Sequence, residues 1–209
     1  GAEESSRRCS ARSGAGARPG STAADKAELL KRLRDRRLAS RAAVELRQQN
    51  LLRTWQDYTA LISACGLHRW WAEALAALDE MEDRSLSPDV ITCSAAVSAL
   101  AKGQQWQRAL GVFEDILRRA LRPNVITCTA AISACEKGGQ WERALALFGD
   151  AQSVKLRPSV ITYNAAISAF SKGQQLDHAL RWLRVMGEET VEPQVISYNA
   201  AISACEKAG

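Results

Sequence analysis

Histidine is nearly absent from this chain of 209 residues, with only His68 and His178, and none of its six cysteines forms a Cys-x-x-Cys pair. Without either arrangement the familiar zinc ligand sets are missing, so no metal site is expected. The sequence also lacks a Gly-x-x-x-x-Gly-Lys phosphate loop and a His-x-Glu followed by Cys-x-x-Cys of the deaminase kind. No catalytic residue, cofactor or small-molecule substrate is therefore expected. No apolar run approaches the roughly 18 residues that cross a bilayer, so no membrane partner is expected either. The formal net charge of +5 suits a polyanionic partner without demanding one.

What fills the chain is repetition. The stretch from Val125 to Ser159 recurs when the sequence is shifted by 35, giving units over residues 55–89, 90–124, 125–159 and 160–194 and a shortened copy over 195–209. Pro88, Pro123, Pro158 and Pro193 keep that step without a slip. A fixed period of this length marks a stacked-repeat architecture.

Each unit reads as two short helices. A hydroxyl or carboxylate stands third in every unit, at Asp57, Thr92, Thr127, Thr162 and Ser197, and is expected to cap the first helix, A. Tyr163, Ala166, Ile167 and Phe170 form an apolar stripe at helical spacing. Lys102-Gly103, Lys137-Gly138 and Lys172-Gly173 signal the end of helix A, with glycine expected to adopt the left-handed cap. The second helix, B, is predicted over Trp106 to Arg118, and Pro123 stops it. One such hairpin cannot bury both its stripes, so each unit must cover the next. Alanine pairs such as Ala95-Ala96 and Ala130-Ala131 suggest close approach of successive A helices.

The 35-residue step, the run Val-Ile-Thr-Tyr-Asn-Ala-Ala-Ile-Ser-Ala over Val160 to Ala169, the Ala-Leu pairs at 109–110, 144–145 and 179–180, and the closing Leu-x-Pro-x resemble the pentatricopeptide repeat family. That resemblance covers Trp55 to Gly209. It implies an all-α fold, a right-handed α-solenoid of stacked helix-turn-helix repeats, acting in a chloroplast or mitochondrion as a binder of single-stranded RNA. The events it implies are transcript processing, stability, editing or translation. A monomer is expected, and protein partners stay open.

Upstream of the repeats, residues 1–24 are rich in Gly, Ala, Ser and Arg and read as a disordered leader or linker. Residues 25–54 are basic and helical in composition. They fit either a degenerate N-terminal repeat, the reading favoured here, or one amphipathic helix. Cysteines 65, 135 and 205 and cysteines 93 and 128 occupy positions where other units hold apolar side chains, so they are expected to be core thiols. Trp71, Trp106 and Trp141 stand seventeenth in their units and are expected to wedge the two helices of one unit together. Ending just after a helix A, the chain is expected to leave the apolar face of that helix uncovered.

Subtracting the core leaves two polar sets in register. The fifth residues are Thr59, Ser94, Thr129, Asn164 and Asn199, and the closing residues are Asp89, Asn124, Ser159 and Gln194. Their bland reading is capping and turn filling. Held one set per unit along an inner face, they are also what reading one base per repeat requires. The resemblance implies that fifth and closing residues together choose the base and that Ile91, Ile126, Ile161 and Ile196, second in their units, pack on it. By the family's tendencies the units would select 5′-G-A-purine-pyrimidine-3′ with chain and strand parallel. Lys102, Lys137, Lys172 and Lys207 stand thirteenth and are candidates for phosphate contacts, although a lysine at a helix C-terminus also suits the helix dipole. A peptide-binding scaffold using the same groove is the competing function.

Overall fold

The structure, a computed structural model, describes residues 23–153, 156–189 and 191–208. The leader expected over 1–24 lies, except for its last two residues, outside the described residues. Eleven helices and no strand occur among those described. They are α1 (Ala23–Arg32), α2 (Ala39–Gln48), α3 (Trp55–His68), α4 (Trp71–Asp83), α5 (Val90–Lys102), α6 (Trp106–Arg118), α7 (Val125–Lys137), α8 (Trp141–Ser153), α9 (Val160–Lys172), α10 (Leu176–Glu188) and α11 (Val195–Ala208).

The odd-numbered helices from α3 to α11 are the A helices and stack one on the next. Each B helix meets its own A helix and the following one. Ala96, Ala131, Ala166 and Ala201, each seventh in its unit, are buried between the A helices and allow close approach. Successive A helices pack closely through small side chains, whereas successive B helices touch through long ones such as Phe148 and Trp182, so the stack curves toward its A side. The result is an all-α solenoid whose inner face is the row of A helices.

The helix starts differ from expectation in one respect. Asp89, Asn124 and Ser159, which close the preceding units, are the N-caps, and each side chain accepts from the amide three residues on. The third residues stand at N3 instead. Asp57 and Thr162 complete capping boxes there by accepting from the backbone of Thr54 and Ser159. The reason is geometric: a cap must precede the first helical turn, and a residue at N3 already lies within it.

The helix ends differ as well. Gly103, Gly138 and Gly173 keep φ near −79°, −84° and −79°, so they are not left-handed. The left-handed residue is the next one, Gln104, Gly139 or Gln174, with Arg69 in the first unit. What requires glycine is tryptophan. A Cβ on Gly103, Gly138 or Gly173 would overlap the indole of Trp71, Trp106 or Trp141, each from the preceding unit. Arg108 lies over the Trp71 ring at 4.9 Å and Arg143 over Trp106 at 6.0 Å, so the next unit grips the indole from two sides. The tryptophans thus join neighbouring units instead of wedging the two helices of one unit together.

Residues 25–54 form a hairpin of α1 and α2 and not a single helix. Asn50, Ser85 and Ala120, 35 apart, all adopt positive φ after their B-type helix. Two bonds pin α1 to α3. Lys26 Nζ reaches the Asp57 carboxylate at 2.6 Å, and His68 Nε2 meets the Leu33 carbonyl at 2.9 Å. Burial alone would raise the Asp57 pKa, but Lys26 and the amides of Thr54 and Arg53 outweigh it and hold the carboxyl below its usual value.

Candidate nucleic-acid interface

Positions two, five, nine and thirteen of a helix A are three or four residues apart and share one face. In α5, α7, α9 and α11 the second position presents Ile91, Ile126, Ile161 and Ile196, which are 58, 68, 69 and 63% exposed. Four large apolar side chains in water, in register, are not core. Ordinary burial would have removed them from solvent, so they mark a surface that meets something. The first unit breaks the row with Gln56.

Beside this row the two polar sets converge. The fifth residue of each unit meets the third residue of the next across the seam between A helices. Thr59 and Thr92 hydroxyls are 2.6 Å apart, Thr129 and Thr162 2.7 Å, and Ser197 donates to Asn164 Oδ1 at 2.6 Å. Ser94 and Thr127 make the same pair. The same third residue holds the closing residue. Asp89 Oδ1 accepts from the Thr92 amide and hydroxyl, both at 2.7 Å, and Asn124 Oδ1 from those of Thr127, both at 2.9 Å. Ser159 pairs with Thr162 at 3.1 Å, and the backbone N–H of Gln194, not its side chain, donates to Ser197 Oγ at 3.1 Å. Each fifth and closing pair therefore shares one bridging hydroxyl.

Counting lone pairs and protons shows what these groups have left. A carboxylate only accepts, so Asp89, with Oδ1 engaged by the cap, offers Oδ2 as a further acceptor. An amide is two-sided, so Asn124 with Oδ1 engaged keeps two N–H donors on Nδ2, for which no partner occurs among the described residues. Ser159 is occupied by the cap. The fifth hydroxyls turn inward: Thr59, Ser94 and Thr129 share their one proton between the seam partner and the carbonyl four residues back, and Ser94 is only 5% exposed. Asn199 is exposed at the end of the row.

The lysines line the far end of the same face. Lys102 is exposed and has no bonded partner among the described residues. The others reach back to the twelfth residue of the preceding unit: Lys137 Nζ to the Ala101 carbonyl at 2.8 Å, Lys172 to Glu136 at 2.7 Å and Lys207 to Ser171 Oγ at 3.4 Å. Burial lowers the Lys137 pKa, and Arg69, Lys172 and Lys102 push it the same way against Glu136, as expected for cations in one row.

Two groups of residues on this face escaped the sequence reading. Thr92, Thr127, Thr162 and Ser197 were legible only as caps, although they bridge the two polar sets. Ser63, Ser98, Ser133, Ser168 and Ser203, ninth in their units, lie between the fifth residues and the lysines. Their recurrence four places from both neighbours is the signal that finds them.

Away from this face, Cys65, Cys93, Cys128 and Cys135 are buried free thiols, as expected of core residues. Burial pushes the pKa of Cys65, Cys93 and Cys135 up to about 11. Cys205 is exposed instead, because no helix packs over that side of α11 among the described residues. No group of three or more His, Cys, Asp or Glu able to hold a metal occurs among the described residues.

Family models identify the repeat. A pentatricopeptide repeat domain matches residues 111–173, the PPR repeat family 158–207 and the PPR repeat 57–86, together more than half of the chain. The chain belongs to the pentatricopeptide repeat family. Solved pentatricopeptide structures agree. The repeat protein PPR10 from maize is 27% identical, with a TM-score of 0.68 over 88% of this chain and 27% of PPR10. PPR10 in complex with an 18-nt psaJ RNA element is 26% identical, with a TM-score of 0.62 over 88% of this chain and 26% of that one. The chain thus spans about a quarter of PPR10. The PPR domain of Arabidopsis thaliana protein-only RNase P 1, in complex with tRNA, reaches a TM-score of 0.71 over 88% of this chain and 96% of that domain. At 12% identity it shares the fold alone. Among curated proteins no relative matches.

Proposed function

We propose that the chain binds single-stranded RNA along its A-helix face, selecting one base per repeat without catalysing a reaction. The observation that carries this reading is the convergence of each fifth and closing pair on one bridging hydroxyl, repeated every 35 residues beside the exposed isoleucines. Bases stack between successive isoleucines, and the closing residue meets the Watson–Crick edge. G and U offer a ring N–H there, which suits the spare acceptor of Asp89. A and C offer a ring acceptor, which suits the donors of Asn124. The fifth residue acts through the room it leaves, a small Ser or Thr admitting a purine and a larger Asn favouring a pyrimidine. Thr59 with Asp89 then selects G, Ser94 with Asn124 selects A, Thr129 with Ser159 a purine and Asn164 with Gln194 a pyrimidine. The α1–α2 hairpin is a degenerate repeat ahead of the four full units. The organelle and the RNA event carried over from the family, in chloroplast or mitochondrion, belong to the same proposal.

The test is equilibrium binding of RNA containing 5′-GAAC-3′ against RNA containing 5′-AGAC-3′. Tighter binding of the first is expected, and equal affinities would remove base selection by the first two units. Phosphate contact by the lysines is read from salt. Each contact on a single strand contributes about −0.7 to the slope of log affinity on log salt. Lys102→Ala should make the slope shallower by about that amount with base preference intact, because Lys102 has no bonded neighbour to disturb. An unchanged slope returns Lys102 to helix-dipole duty. The burial of Ser94 is the one observation that favours a peptide scaffold, and absence of any RNA binding would leave that reading standing.

A further inference from the structure

The inner face does not end at the first unit. Between α1 and α3 lies an open cleft of about 780 Å³, within the range of roughly 300–1,000 Å³ typical of ligand sites. Its walls include Lys31 from α1, Arg34 from the turn that follows it, and Trp55, Gln56, Thr59 and Leu67 from α3. The first unit departs from the others at three of these places. Trp55 stands where the later units have valine, Gln56 where they have isoleucine and Leu67 where they have lysine. The Trp55 indole is 43% exposed at the first turn of α3, where an ordinary repeat needs no aromatic.

We infer that this cleft holds one further nucleotide, 5′ of the base selected by Thr59 and Asp89, stacked on Trp55 with its phosphate facing Lys31 and Arg34. The inference rests on the RNA-binding reading above. Three observations point to a nucleotide. The cleft is continuous with the selecting row, because Thr59 and Ser63 line it. It joins an exposed aromatic to two exposed cations without ion-pair partners among the described residues, which is how sequence-tolerant single-strand sites are built. And the charge excludes the nearest alternative occupant, since residues 1–22 carry four arginines against two glutamates and match the sign of Lys31 and Arg34. Lacking a closing residue of the selecting kind at its own level, the site takes any base. The closing position here is Thr54, whose single hydroxyl serves the cap of α3 and leaves no second polar atom of the kind that Asp89 and Asn124 keep.

The experiment uses RNA with 5′-N-GAAC-3′ in which N is an intact nucleotide or an abasic one, so that the phosphate count stays constant. An intact base should tighten binding about tenfold, the order of one base–aromatic stack. The gain should be similar for all four bases, vanish in Trp55→Ala and return in Trp55→Phe. 2-Aminopurine at N should be quenched on binding to the unsubstituted chain and brighten in Trp55→Ala. A gain unchanged by Trp55→Ala, no gain at all, or a gain only from a nucleotide 3′ of GAAC overturns the inference while leaving base selection by the repeats in place. Failure of GAAC itself to bind overturns both.

Discussion

Asp89→Asn is expected to move the first selected base from G to A. The N-cap survives the change, because Asn Oδ1 accepts from the Thr92 amide and hydroxyl as Asp Oδ1 does, and the two residues cap about equally well. What changes is the second atom of the side chain, from an oxygen that only accepts to a nitrogen that only donates. Facing the ring N–H of G, that nitrogen leaves two donors opposed. Facing the ring acceptor of A, it makes a bond. An opposed or unsatisfied polar pair at such a contact is worth about 1–3 kcal/mol, or about ten- to a hundredfold in affinity. Affinities of both chains for 5′-GAAC-3′ and 5′-AAAC-3′ should therefore cross over, while the melting temperature stays nearly constant. The same ranking of the two RNAs by both chains would show that Asp89 only caps α5.

Gly138→Ala is expected to weaken the junction between the second and third units by about 1–3 kcal/mol, the usual cost of overpacking. Its φ of −84° suits alanine, so no backbone strain enters. The added Cβ would lie 2.5–2.7 Å from the ring atoms of Trp106 nearest its own backbone, which cannot swing aside as a chain end does. Trp106 is also held under Arg143. Because a solenoid is stabilised unit against unit, loss at one junction should lower the unfolding midpoint and separate the two sides into distinct transitions. Gly111→Ala is the control. Gly111 lies within α6 with nothing near the position of a new Cβ, and the change should stabilise by about 0.5–1 kcal/mol. Urea unfolding of the two variants, if it shifted both midpoints alike, would show that the indole does not hold the glycine in place.

Periodicity alone determined the pairing of short helices, the apolar stripes and the solenoid class, since a 35-residue repeat with helical spacing has no other way to bury its apolar faces. The exposed row of Ile91, Ile126, Ile161 and Ile196 and the two polar sets were legible for the same reason: anything that recurs in register must form a row. What a side chain does across a seam is not local, and only the tertiary structure decided it. Trp106 could be placed on its helix from the sequence, but its contact with Gly138 depends on how one unit seats on the next. Thr92 looked like a cap until the neighbouring helix brought Thr59 within 2.6 Å of it. The cleft beside Trp55 likewise exists because α1 meets α3 at Lys26 and Leu33 and leaves space alongside, a consequence of how helices dock that no spacing of residues encodes.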